Sequence, residues 1–466
     1  SCDLYSLGVT LYQVTTGQLP FKPYSGRTDR VTMSRILNGR RRGDISGVQV
    51  TPNGEIYRSA EFPPFITCLK SFTNLLKPVI VDMFETDESR RRITFEEYFE
   101  RINKVINMVK FKVFHHETAV NHEIYVNKGD NISHLREAIA AETELEASKQ
   151  LITLGSKRID EIVDGKVESY PRSVVQAQLF LFNMEEPDSF IRVTKVRNLP
   201  ALPVFDRAMP SLQDDTVVAL RFVSIAHYIC RNQRTIIERQ RLLRDSCVHM
   251  SNHFDSVTRS VSCEISYIEK LVNSIGCRNA VMMNGEPIVT RLSGLQEDKG
   301  FIKLLGIFRQ DLLCKDMIRQ SNKRLEETKT YFATLQQVSA TLCDPNQFEV
   351  NDCCTDAEEC ETTMVNVAKR INEIYGIFVK HKNYQNLHSH EQFVHNCERQ
   401  NIIKYGVQLV SYYGEHCVAH LKTVSTVVRN YSIKFKKNVG RLAKIRHNVM
   451  AFTNNLKNID SKLRTA

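Results

Sequence analysis

Residues 417–463 read CVAHLKTVSTVVRNYSIKFKKNVGRLAKIRHNVMAFTNNLKNIDSKL, and their apolar side chains recur at alternating steps of four and three. This spacing is typical of a coiled-coil helix, whose apolar seam faces another helix. Traced backward, the alternation reaches residue 403, which gives about 90 Å of helix at about 1.5 Å per residue. The predicted seam consists of Ile403, Val407, Val410, Gly414, Cys417, Leu421, Val424, Val428, Tyr431, Phe435, Asn438, Leu442, Ile445, Val449, Phe452, Leu456, Ile459 and Leu463.

The distribution of proline indicates where long helices can form. Eleven of the thirteen prolines lie in residues 1–210, and only Pro287 and Pro345 come later. Because proline removes a helical hydrogen bond and clashes with the preceding turn, these two residues are predicted to mark loops. Three helices are therefore expected, over residues 211–286, 288–344 and 346–466.

The first of these helices carries an apolar stretch from Phe254 to Ile275 that matches the seam, so the two are expected to pack within one chain. Residues 211–466 are interpreted as a long three-helix coiled-coil scaffold and dimerisation domain. Residues 185–210 hold four prolines and few regular patterns, as a linker would, although an extended strap is also compatible with this composition.

Residues 108–184 change from helical spacing to alternation. Val109, Phe111 and Val113 alternate with polar residues as in a strand, and Asn131 is a suitable cap for a following helix. Two strands followed by a helix indicate a β-grasp domain.

The order and spacing of these segments, together with Gln150–Gly155 and the strand at 179–182, are similar to those of ubiquitin. In ubiquitin-like domains an apolar residue of the central strand contacts partner proteins, and this resemblance assigns Leu151 and Ile152 to such a patch. The alternative is that both side chains belong to the β-grasp core.

Residues 1–107 begin with a helical pattern in which Leu4, Leu7, Leu11 and Val14 share one face, and Gly17 provides a stop. Periodicity does not account for Gly8, because glycine costs a helix about 1 kcal/mol relative to alanine.

The pattern DLYSLGVTLY at residues 3–12, followed by Thr-Gly and Leu-Pro-Phe, resembles the large central helix of the protein-kinase C-terminal lobe. In that family the aspartate, here Asp3, anchors the catalytic loop, although it could equally cap the helix. Arg92, before the helix that follows Thr94, matches the arginine that pairs with a conserved kinase glutamate. A solvated arginine is the alternative. None of the family's ATP-binding or catalytic motifs occurs in the 466 residues, so no catalytic residue is predicted in this chain.

The composition is that of an ordinary soluble protein, and no apolar run reaches the length of a membrane span. The thirteen cysteines are scattered and odd in number, which favours reduced thiols in the cytoplasm. The cluster at Cys343, Cys353, Cys354 and Cys360 fits no zinc motif, so no metal site is predicted. The net charge of +10 makes nucleic acid a partner to consider. The basic runs at 40–42 and 90–92 lack interleaved aromatic residues that could stack on bases, so these arginines are predicted to be solvated or to form ion pairs.

A partial kinase C-lobe, a ubiquitin-like domain and a long coiled-coil unit, in this order, resemble the IκB-kinase-related family. The branch of TANK-binding kinase and IκB kinase epsilon is the most similar, on the loop Gly43–Gln49 and on Phe111–Phe114. This resemblance implies a serine/threonine protein kinase of innate-immune and autophagy signalling, using ATP and Mg²⁺ when full length. It also implies a homodimer that binds kinase substrates and adaptor proteins. The chain departs from the family in having Tyr5 where tryptophan is usual, and no tryptophan at all.

Three interpretations stay open. The chain is either a portion of an active kinase that binds neither ATP nor Mg²⁺ by itself, or a catalytically inactive dimeric scaffold that binds partners without chemistry. A basic coiled-coil protein that binds RNA or membranes is the third, and the dispersion of charge argues against it.

Overall fold

A computed structural model describes residues 2–26, 28–63, 70–85, 93–184, 199–205, 212–292, 299–342, 352–384 and 387–465. Within these ranges, side chains are not described at 2, 70, 278–318, 339, 342, 352–358, 459 and 462–465. The chain divides into two units. The first comprises residues 1–116, 120–154 and 158–183, and the second comprises residues 184–466 with the short segments 117–119 and 155–157.

The first unit starts with four helices and a small sheet. The helices are α1 (Cys2–Thr16), α2 (Arg30–Asn38), α3 (Lys70–Met83) and α4 (Phe95–Ile106). The strands are β1 (Phe21–Lys22), β2 (Ser46–Gln49) and β3 (Ile56–Ser59), with β1 parallel and β3 antiparallel to the central β2. Thr94 caps α4 in a capping box with Glu97, which fixes where that helix begins.

Helix α1 is present as predicted and ends at Gly17, whose φ of +72° suits glycine at a helix end. Its buried face differs from the prediction, because Val14 is 78% exposed whereas Tyr12 is 2% exposed. Leu4 and Gly8 complete the inward face. The leucine spacing was a poor guide here because Tyr12 packs in an aromatic cluster with Phe21, Phe62 and Phe84.

The packing of α1 against α3 explains the glycine that periodicity left unexplained. A Cβ at Gly8 would lie 3.0 Å from the Cβ of Met83 and 3.2 Å from the ring of Phe84. The helix accepts the propensity cost of glycine because a side chain at this position would separate the two helices.

One residue of the basic run 40–42 is neither solvated nor ion-paired as predicted, because it packs on aromatic rings. Arg40 is half-buried, and its guanidinium lies 5.6 Å from the ring centroids of both Phe21 and Phe84. It also donates to the carbonyl oxygen of Phe84. The planar, weakly hydrated guanidinium stacks on aromatic rings more readily than an ammonium would. Arg41 and Arg42 are exposed.

The rest of the first unit is a five-stranded sheet, and its elements confirm the alternation and cap read from the sequence. The strands are β4 (Val109–His115), β5 (Val120–Val126), β6 (Gln150–Leu154), β7 (Lys157–Arg158) and β8 (Gln178–Asn183), in the spatial order β5-β4-β8-β6-β7. Only the central pair, β4 and β8, is parallel among the pairings described. Helix α5 (Ile132–Thr143), capped by Asn131, covers one face of the sheet, and a single turn, α6 (Arg172–Val175), precedes β8.

The second unit is built from long helices: α7 (Leu212–Leu292), α8 (Lys299–Leu342), α9 (Asp352–Lys382), α10 (Ser389–Tyr412) and α11 (Ala419–Thr465). A π-helical segment, Tyr413–Val418, joins α10 to α11 without a break. Helix α7 packs against α8, α9, α10 and α11.

Two of the predicted helix boundaries are wrong. Helix α7 continues through Pro287 to Leu292, so this proline does not mark a loop. The third predicted helix is interrupted after Lys382, and α10 begins at Ser389. At the break, the backbone N–H groups of Asn383 and Tyr384 donate to carbonyl oxygens three residues earlier, as in a turn. The break contains no proline, and the new start is fixed by Glu391, whose carboxylate accepts from the backbone N–H of His388. Pro345 lies outside the described residues.

Part of the predicted linker packs as an extended strap. Phe205 lies 6.3 Å from the rings of both Phe222 and Phe378, and the guanidinium of Arg399 lies 4.7 Å from its ring centroid. The described strap, residues 199–205, is therefore a packed part of the second unit.

Candidate functional site

The seam of α11 lies inside the second unit, against α7 and α8. Six of the predicted seam residues are almost completely buried within this one chain, at 0–2% exposure: Val424, Val428, Leu442, Ile445, Val449 and Leu456. Phe452 is half-buried, and the side chain of Ile459 lies outside those described.

The partner of the seam is the stretch of α7 that the sequence predicted. Phe254, Val261 and Ile275 are buried, and the rings of Phe254 and Phe435 meet edge to face at 5.7 Å. On the rim, the carboxylate of Glu264 pairs with Arg446 at 3.4 Å. Burial of this seam thus holds the unit together, and a homodimer would have to use other residues.

The N-terminal part of the predicted seam is out of phase by one residue. Ile403 and Val407 are 39% and 54% exposed. The buried positions of α10 and the π-helix lie one residue earlier, at Ile402, Gly406, Leu409 and Tyr413.

The π-helix accounts for this shift. The buried series up to Tyr413 would continue at residue 416 if four- and three-residue steps alternated without interruption. It continues instead at Cys417, because a segment with i→i+5 hydrogen bonds takes up one additional residue in its turn. Both helical halves therefore present one continuous face. The sequence contains both apolar stripes, and extrapolation from the longer half selected the wrong one.

A cavity of about 520 Å³ lies beside the π-helix, between α7 and α9. Its lining includes the charged or titratable side chains of Glu359, Glu415 and His416, and the two thiols of Cys360 and Cys417. The ring of His416 lies 4.8 Å from that of Tyr412. π-Helical segments often accompany functional sites.

Three sulfur atoms meet at the inner wall of this cavity. The Sγ of Cys360, the Sγ of Cys417 and the Sδ of Met364 are mutually 3.8 Å apart. Met364 is completely buried, and the two cysteines nearly so. Burial raises the pKa of both thiols, so neither is an activated nucleophile.

A second polar cluster lies near the start of α7. His395, fully buried on α10, places its Nε2 3.2 Å from a carboxylate oxygen of Asp215 and its Nδ1 3.0 Å from the Nδ1 of His381. Arg399 reaches the same carboxylate at 3.4 Å, and the ring of Phe378 lies 4.4 Å from that of His395. Burial lowers the pKa of His395, although the nearby carboxylate raises it.

The described residues do not test the two kinase-type assignments, Asp3 and Arg92. Asp3 is exposed in the first turn of α1. Arg92 lies outside the described residues. Their assignments as structural anchors of a kinase lobe stay predictions.

Leu151 and Ile152 point to opposite faces of β6, and both are buried. Ile152 belongs to the core between the sheet and α5, and Leu151 is 6% exposed. Neither side chain offers an exposed apolar surface in this chain. Their assignment to a partner-contact patch stays a prediction.

Two comparisons place the chain among known proteins. The family described as TANK-binding kinase 1 coiled-coil domain 1 matches residues 317–466, which include α9, the π-helix and α11 with its seam. The chain is also similar to the inhibitor of nuclear factor kappa-B kinase subunit epsilon of Mus musculus, with 33% identity over 151 residues. Residues 317–466 are thus similar to a coiled-coil domain of TANK-binding kinase 1. The aligned residues are 32% of this chain and span 21% of the mouse protein, about a fifth of its length. The chain therefore spans only a small part of the length of the relative that it matches.

The use of ATP and Mg²⁺ by a full-length kinase, and their absence from this chain alone, stay predictions. The part of the chain that the structure describes holds no group of three or more His, Cys, Asp or Glu side chains arranged for a metal ion. The sequence contains no phosphate-binding loop. We therefore derive no phosphoryl-transfer step for this chain. Among the described helices, none combines the length and apolarity that crossing a membrane requires.

Proposed function

We propose that the chain is the C-terminal portion of an ATP-dependent serine/threonine protein kinase of innate-immune and autophagy signalling, and that it holds the regulatory and dimerisation parts. The observation that carries this proposal is the family match over residues 317–466, which falls on a helical unit with a long buried seam.

The first unit supports the proposal through its topology. With the strands of the five-stranded sheet numbered from its own first strand, their spatial order is 2-1-5-3-4, with the two central strands parallel, and one helix covers a face. This is the arrangement expected of a ubiquitin-like β-grasp domain. The close packing of α1 on α3 through Gly8 is compatible with the assignment of residues 1–107 to a kinase C-lobe.

Activity is the first test of this proposal. The chain alone is expected to show no transfer of ³²P from Mg²⁺-ATP to a generic serine/threonine protein substrate, because it has no motif that holds phosphates. Extension of the transcript toward its 5′ end is expected to add the missing kinase motifs in frame, and the extended protein is expected to phosphorylate the same substrate. Turnover by the chain alone would contradict the assignment of the catalytic residues to the extension.

The alternative is a catalytically inactive dimeric scaffold. It shares every residue of this chain with the first proposal, so the transcript decides between them. A 5′ end with an in-frame stop codon and no kinase motifs would favour the scaffold.

We propose a homodimer in the cytoplasm for either function. The seam is buried within one chain, so the dimer contact is expected on apolar residues that are exposed. Ile403 and Val407 are two such residues, and they lie one turn apart on α10. Sedimentation equilibrium is expected to give twice the mass of the chain, and the double variant Ile403→Glu, Val407→Glu is expected to be monomeric and folded. A monomeric parent chain would refute the dimer, and a dimeric double variant would exclude this stripe as its contact.

A further inference from the structure

The three sulfur atoms at the inner wall of the cavity form an equilateral triangle. Each of the three separations between Cys360 Sγ, Cys417 Sγ and Met364 Sδ is 3.8 Å. The centre of such a triangle lies 3.8/√3, or about 2.2 Å, from each corner. That distance is close to the metal–sulfur bond of about 2.3 Å seen for thiolate ligands.

We propose that these three side chains form a binding site for a monovalent copper ion, Cu(I). Two thiol sulfurs and one thioether are the soft ligands that select Cu(I). Zinc prefers four tetrahedral ligands from Cys, His or carboxylate groups, and it finds only two such ligands in this triangle.

The surroundings of the triangle suit a soft ion that enters without its water shell. Met364 lies on α9 one turn after Cys360, so a single helix supplies two ligands with a spacing of four residues. The third ligand, Cys417, belongs to the π-helix, whose additional residue brings its side chain inward. In an uninterrupted α-helix of the same sequence, the inward position would fall on His416 instead of Cys417.

The cavity provides the entry path. Both cysteines line it, together with Glu359, Glu415 and His416. Met364 lies behind the cysteines and is completely buried. A cation arriving from solvent meets the carboxylates first and the sulfur atoms last. Binding leaves copper as Cu(I), so no electron is transferred. Each thiol that becomes a thiolate ligand releases one proton to the buffer.

The test is an anaerobic titration of the full chain with Cu(I), in competition with a colorimetric Cu(I) chelator. One equivalent is expected to bind. X-ray absorption of the loaded chain is expected to show three sulfur neighbours at about 2.2–2.3 Å. Binding of Zn²⁺ at the same concentration is expected to be absent.

Matched variants locate the ion. Cys360→Ala and Cys417→Ala are each expected to lower Cu(I) affinity more than about 100-fold, since a lost ligand costs at least as much as a lost second-shell partner. Cys247→Ala removes another buried thiol of the second unit, one that is not part of the triangle, and is expected to leave Cu(I) binding unchanged.

Met364→Leu keeps the volume of the core, so it separates coordination from folding. It is expected to retain the circular dichroism spectrum and melting temperature while the number of sulfur neighbours falls from three to two. Unchanged Cu(I) affinity in the Cys360→Ala, Cys417→Ala double variant would overturn the proposal. Three sulfur neighbours retained in Met364→Leu would also overturn it, even if the cysteine variants fail to fold.

Discussion

Deletion of Gly414 should be tolerated, because this residue lies in a segment that already holds one residue more than an α-helix needs. The π-helix Tyr413–Val418 separates buried Tyr413 from buried Cys417 by four residues where the preceding steps call for three. Removing Gly414 leaves a step of three, and an ordinary α-helix then carries both halves of the seam on one face. Gly414 is exposed, and a Cβ built on it meets nothing within 4 Å, so the deletion removes no contact.

Gly440 supplies the matched control. It is also an exposed glycine with nothing within 4 Å of a built Cβ, but it lies in regular α-helix. Its deletion rotates everything downstream by about 100° relative to the upstream seam. The side chains turned outward include Leu442, Ile445, Val449 and Leu456. At about 1.5–3 kcal/mol for each buried side chain, the cost is about 6–12 kcal/mol, which equals or exceeds the stability of most domains.

Urea unfolding followed by circular dichroism at 222 nm measures both effects. The Gly414 deletion is expected to change the free energy of unfolding by less than about 1 kcal/mol, the cost of one suboptimal helical residue. The Gly440 deletion is expected to abolish the cooperative transition of the second unit. If the Gly414 deletion is as damaging as the Gly440 deletion, the π-helix does not correct the phase of the seam, and the assignment of its additional residue is refuted.

Further predictions concern the cores of the same unit. Leu442→Glu should lower the free energy of unfolding by about 3–5 kcal/mol, because it removes a buried side chain and buries a carboxyl, and an unchanged melting temperature would show that the seam is not buried. Gly406→Ala should cost about 1–3 kcal/mol in urea melts, since its Cβ would lie 2.7 Å from the ring of buried Phe222; a gain in stability would contradict this packing. Because burial lowers the pKa of His395, the unfolded chain takes up a proton below about pH 6.5 that the folded chain resists. The free energy of unfolding should therefore decrease as pH falls below about 6.5, and His395→Gln, which can still donate to Asp215, should flatten that dependence; equal slopes for both proteins would refute it.

The sequence predicted the elements whose signals are local. Alternation at Val109, Phe111 and Val113, the cap at Asn131 and the stop at Gly17 each depend on a few neighbouring residues, and each is present in the structure. One boundary was wrong because a local rule does not decide where a long helix ends. Pro287 lies inside α7, so this helix of 81 residues continues past the hydrogen bond that proline removes.

The polar and sulfur clusters were beyond prediction for a different reason. Asp215, His381 and His395 come from three helices and are separated by up to 180 residues, so no spacing in the sequence relates them. Nothing in the sequence distinguishes Met364 from an ordinary core residue, because methionine at a helical core position usually fills space. Only the fold shows that its sulfur meets those of Cys360 and Cys417.

The π-helix connects the seam with the triangle of sulfur atoms. An α-helix that lacked the additional residue would keep the seam intact, so stability alone does not require the π geometry. The additional residue does decide what the cavity presents, because it places the exposed pair Glu415 and His416 at the cavity wall immediately before the inward thiol of Cys417. Deletion of Gly414 should preserve unfolding stability and yet shorten the turn that carries the third ligand, so we expect it to weaken Cu(I) binding about 10-fold or more, the size of effect seen when the support of a ligand is lost. If the Gly414 deletion variant keeps both its unfolding stability and its full Cu(I) affinity, the π-helix is required neither for the stability of the unit nor for Cu(I) binding.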